Sequence, residues 1–73
     1  MISVHIRHTH EAVEGCGSFE VYYSDGRPSV FFYYEDVASR RLRPEQVNSV
    51  KALEQAREFA RSERERLAMR NED

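Results

Sequence analysis

Three histidines and the sole cysteine fall close together near the start of this 73-residue chain: His5, His8, His10 and Cys16. Side chains alternate along an extended strand, so His8 and His10 project from one face and His5 from the other. The set that could hold zinc or copper is therefore His8, His10 and Cys16. No second cysteine pair or helical histidine pair completes a recognised metal pattern, and the expectation is surface histidines at a strand end, with no metal and no cofactor. Cys16 could serve as a nucleophile only beside a base that lowers its pKa, and nearness in sequence does not supply that geometry. No paired carboxylates, serine elbow or glycine-rich phosphate loop stands elsewhere. The chain reads as a non-enzyme.

Two further sets could bind rather than react. Arg40, Arg41 and Arg43 form a basic cluster which, with Arg27, could meet phosphates, although arginines beside Asp36 and Glu45 also describe a solvated edge. Tyr22, Phe31 and Tyr33 are aromatic residues among polar neighbours. They could be covered by a partner subunit, by the chain's own ends, or by a flat ligand stacked on them as bases stack on some sheets.

The element that must position most of these residues is the stretch from Ser18 to Glu35. Phe19, Val21 and Tyr23 alternate with Glu20, Tyr22 and Ser24, and Val30 to Tyr34 is an unbroken β-branched and aromatic run. Between them Asp25-Gly26 supplies a hairpin turn, with Pro28 beside it because proline cannot donate to a ladder. A two- or four-residue loop sets Val21 opposite Val30 and Phe19 opposite Phe32. Phe19, Val21, Tyr23, Val30, Phe32 and Tyr34 then share a core face, while Glu20, Tyr22, Ser24, Ser29, Phe31, Tyr33 and Glu35 share the rear. A three-residue loop with a bulge at Gly26 would exchange the faces of the second strand.

Around the hairpin, Ile2, Val4 and Ile6 alternate with polar residues and predict a first strand over about 2–8. Glu11 to Gly17 breaks the alternation and reads as a loop. Residues 36–43 fit either a short fourth strand or an extended linker. A long amphipathic helix is expected over about 44–69, starting at Pro44 or capped by Asn48 or Ser49. Val50, Leu53, Ala56, Phe59, Ala60 and Leu67 fall on one half of its wheel. Such a helix is about 39 Å long, against about 27 Å for an eight-residue strand, so it overhangs the sheet and its distal Leu67 is a candidate contact for a second copy.

The fold expected is α+β: an antiparallel sheet of three or four strands with one C-terminal amphipathic helix on one face, in a single domain over 1–73. At this length a single core is marginal and oligomerisation commonly supplements it, so a homodimer is the default partner, with another protein as the alternative. Basic and acidic residues number five and six in residues 1–43, and six and seven in residues 44–73. That balance points to neither nucleic acid nor an anionic membrane. One cysteine fits a reducing compartment, and no signal-peptide core or membrane-spanning run is visible, so a cytoplasmic protein is expected.

The order Gly17-Ser18-Phe19, alternating strand, Asp25-Gly26-Arg27, aromatic strand and alanine-containing helix resembles, over roughly residues 17–60, the arm-type and AP2-like sheet-plus-helix DNA-binding modules. The resemblance implies a sheet that enters the major groove, with strand side chains reading bases. The corresponding exposed positions here are Glu20, Tyr22, Ser24, Ser29, Phe31 and Tyr33, with Arg27 the one basic group. Nucleic-acid binding is accordingly the second reading, behind a self-associating interaction module whose contact surface is Tyr22, Phe31, Tyr33 and Leu67.

Overall fold

The computed structural model describes residues 2–43 and 46–71, and the side chains of these except 10–13, 70 and 71. Three antiparallel strands, β1 (Val4–Val13), β2 (Cys16–Tyr23) and β3 (Val30–Glu35), stand side by side in chain order, and helix α1 (Ser49–Asn71) lies across them. This is the α+β arrangement that the alternation of apolar residues predicts.

The β2–β3 register is the expected one, with Val21 opposite Val30 and Phe19 opposite Phe32. The turn is closed by the Gly26 N–H donating to the Tyr23 carbonyl at 3.2 Å, and Gly26 has φ +82°. Pro28 falls where an N–H would face β2, which explains why the ladder begins only at Val30. The region around Cys16 differs from expectation: β1 continues to Val13 and β2 begins at Cys16, joined by Glu14 and Gly15. The broken alternation is absorbed by an irregularity in which the four steps from Thr9 to Val13 lie against the two from Ser18 to Cys16. Gly15, at φ +81°, takes the left-handed conformation this short turn requires.

No fourth strand forms among the described residues of 36–43; Ala38–Arg40 makes one short 3-10 turn. The Glu35 side chain organises this connection. Its carboxylate receives Arg40 Nε at 3.1 Å and the Val37 N–H at 3.3 Å, while its carbonyl accepts Arg41 Nε at 2.7 Å. The helix starts later than Pro44, a residue outside those described. Asn48 is its cap, its Oδ1 accepting the Lys51 N–H at 2.8 Å, and Asp36 Oδ1 accepts the Ser49 N–H at 2.6 Å.

The core lies between α1 and the face carrying Val4, Val21, Tyr23 and Phe32. Ala52, Ala56 and Ala60 are fully buried and let the helix backbone approach the sheet closely, while Phe59 meets Phe32 with ring centroids 5.6 Å apart. Val50 is exposed rather than part of the stripe, and Ala52 takes its place. At 23 residues α1 is about 34 Å long, and the molecule is elongated, 49 × 21 × 15 Å. Among the described residues no helix is long and apolar enough to cross a membrane.

Candidate functional site

The rear face of the sheet, opposite the helix, is where the sequence concentrates residues that a buried core does not use. Strand parity places His5, Arg7 and Thr9 of β1, Cys16, Ser18, Glu20 and Tyr22 of β2, and Phe31, Tyr33 and Glu35 of β3 on it. Its centre is polar. Glu20 is buried, accepts Arg7 Nε at 2.8 Å and receives the Ser29 hydroxyl at 2.5 Å. The Arg7 guanidinium first, then the Ser29 hydroxyl, hold the Glu20 carboxyl below the usual carboxylate range. Ser18 is also buried, sharing a hydroxyl contact with Thr9.

The three aromatic residues are treated differently by this centre. Tyr22 is half-buried: Arg7 lies over its ring at 4.5 Å from Cζ to centroid, and the His5 ring is 5.3 Å away. Phe31 and Tyr33 stack on each other at 6.2 Å and face outward, 44 % and 71 % exposed. No described part of the chain buries either ring. Leu67, the fourth expected contact residue, is instead buried in the chain's own core near Val4 and Tyr23.

The histidine–cysteine set is separated. His8 pairs with Phe19, which puts it on the helix side, whereas Cys16 has rear-face parity. His8 shares a 2.6 Å hydrogen bond with the Tyr34 hydroxyl and packs against Phe19 and Tyr34 at 5.1 and 5.8 Å. The side chain of His10 lies outside the described residues, among which no group of three metal-binding side chains converges. Cys16 is a free, half-buried thiol beside a cleft of about 420 Å³ lined by Gly17, Tyr33, Tyr34, Arg43 and Gln46.

The arginines do not make one surface. Arg27 sits at the hairpin turn, gripping Asp25 at 2.7 Å, and Arg40 and Arg41 bind Glu35 at the other end of β3. The Arg27 guanidinium holds Asp25 below its ordinary range.

Alternation could have found the helix-side position of His8, which is in phase with Val4 and Ile6, although the expectation from sequence is only of surface histidines at a strand end. The Arg7–Glu20 pair had no such signal, because it depends on a β1–β2 register that the irregularity before Val13 conceals. No protein-family model, curated protein or solved structure matches the chain.

Proposed function

We propose that this chain is a small, non-enzymatic interaction module that self-associates as a homodimer. The observation that carries the reading is the Phe31–Tyr33 pair, stacked, outward-facing and buried by no described part of the chain. Adjacent exposed rings of this size are characteristic of surfaces that meet another protein. The architecture supports a second copy as that protein, since one helix shelters only one side of the sheet. With a single free cysteine, the compartment we read is the reducing cytoplasm.

Light scattering at micromolar concentration tests the reading. A dimer is expected, and Phe31→Ser with Tyr33→Ser should weaken it at least tenfold while sparing the circular-dichroism spectrum. A monomer that keeps its fold at all concentrations overturns it. The nucleic-acid alternative through Arg27, Arg40, Arg41 and Arg43 has less support, because Arg27 and Arg40 already face carboxylates. Salt-dependent binding to single- or double-stranded DNA would revive it.

A further inference from the structure

The backbone of β3 indicates how a second copy would join. In an antiparallel strand the N–H and C=O of one residue point to the same side, and successive residues alternate. Two bonds define the sides here: the Glu35 N–H donates to the Val47 carbonyl at 2.8 Å, away from β2, and the Asp36 N–H donates to the Gly15 carbonyl at 2.7 Å, towards it. Val30, Phe32 and Tyr34 therefore pair with β2, and Ser29, Phe31, Tyr33 and Glu35 face outward. Glu35 is closed, its N–H by Val47 and its carbonyl by Arg41. Among the described residues nothing bonds the outward backbone groups of Ser29, Phe31 or Tyr33. These open residues are centred on Phe31.

We infer that the module dimerises by antiparallel pairing of β3 with β3 of a second copy, the two-fold axis passing beside Phe31. This rests on the self-association proposed above and assigns its surface. In that register Phe31 faces Phe31 of the copy and Ser29 faces Tyr33, so every open N–H and C=O of the three residues finds its complement. The pattern is self-complementary, as a two-fold interface must be. On the helix side Val30 meets Phe32 of the copy, and both are half-buried in the single chain. On the rear the Phe31 rings meet, and none of the paired residues 29–33 is charged. A longer foreign strand fits less well, because Val47 and Arg41 stop the ladder at Glu35.

The opposite edge lacks these properties. On β1 the outward residues are Val4, Ile6 and His8, and the Val4 carbonyl is taken by Arg64 Nη2 at 2.7 Å. Two-fold pairing about Ile6 would set His5 against Arg7, which is well exposed, and the register breaks after Thr9. Charge and irregularity on an edge both discourage pairing.

Tyr33→Pro is the discriminating variant. It deletes one outward N–H and leaves the β2-facing ladder intact, which an edge strand tolerates. Sedimentation should show a dimer for the natural chain and a dissociation constant raised more than tenfold for Tyr33→Pro. A natural chain that sediments as a monomer overturns this inference together with the self-association reading. A Tyr33→Pro chain that dimerises unimpaired overturns the β3 pairing and the part given to the Tyr33 ring, and leaves self-association standing. Should that variant lose its circular-dichroism signal, Phe31→Cys in a Cys16→Ser background decides. Facing α-carbons about 5.5 Å apart lie within disulfide reach, so mild oxidation should link position 31 to itself and leave a Tyr22→Cys control unlinked. No link at position 31 overturns the pairing.

Discussion

Glu63 is a charged residue in the middle of the helix's apolar stripe, and its partners explain how it is tolerated. It accepts the Tyr23 hydroxyl at 2.6 Å and Arg66 at 2.8 Å. The Arg66 bonds, then the Tyr23 hydroxyl, bring its carboxyl down to about 2, and burial followed by the Glu63 bond pushes the Tyr23 phenol up to about 12. A carboxyl depressed on folding stabilises above its unfolded value of 4.5 and loses that contribution as pH falls towards 2. A phenol raised on folding stabilises below its unfolded value of 10.0 and loses it as pH rises towards 12. Stability should therefore be flat from about pH 5 to 9, falling on both sides. Glu63→Gln should flatten the acid limb and cost about 1 kcal/mol at pH 7, discounted because Arg66 faces water; urea titrations at several pH values check both. Gly15 gives a second prediction. A Cβ there would lie 3.3 Å from Arg40 Nη2 on a backbone at φ +81°. Gly15→Ala should lower stability by about 1–2 kcal/mol, measurable as a reduced melting temperature, whereas Gly26→Ala meets the backbone cost without the contact.

Among the elements, α1 is held to the sheet by alanines. Ala52, Ala56 and Ala60 have no exposed surface, so a larger side chain must lift the helix. Ala56→Leu should destabilise by about 1–3 kcal/mol despite its better transfer energy, and the shift in urea midpoint reports it. Asn48→Ala should cost about 1 kcal/mol through loss of the Lys51 cap. The hairpin and its register were legible in the sequence because Asp25-Gly26 and period-two alternation agree. The helix stripe was only partly so: its largest residues suggested Val50, yet close packing on a sheet selects small ones. The run 36–43, open in the sequence between a short strand and an extended linker, is a connection with one 3-10 turn. Its alternation of Val37, Ser39 and Arg41 mimics a strand, but Glu35 draws in Arg40 and Arg41 and turns the chain. Nothing local announces a contact of that kind.

For the molecule as a whole, the rear face contains both an ion pair built on the buried Glu20 and a hydrophobic margin. Glu20 with Arg7 and Ser29 needs no partner to be satisfied, while Phe31 and Tyr33 remain outside that network. A contact that covers the margin should stabilise the fold by mass action. The melting temperature is expected to rise with protein concentration between about 1 and 100 µM in the natural chain, and to be independent of it once Phe31 and Tyr33 are serine. The candidate surface was visible in the sequence as three aromatics, of which the fold itself claims one, Tyr22, through Arg7 and His5. That division follows from a cross-strand register no linear pattern reveals.

Arg64's grip on the Val4 carbonyl bears on how far assembly can proceed. A ribbon with two sticky borders polymerises without limit, whereas a ribbon with one sticky border stops at a pair. Under the β3 pairing proposed above, an outer border tied down at Val4 would leave each copy one open border, and assembly would close at two rather than run on into fibres.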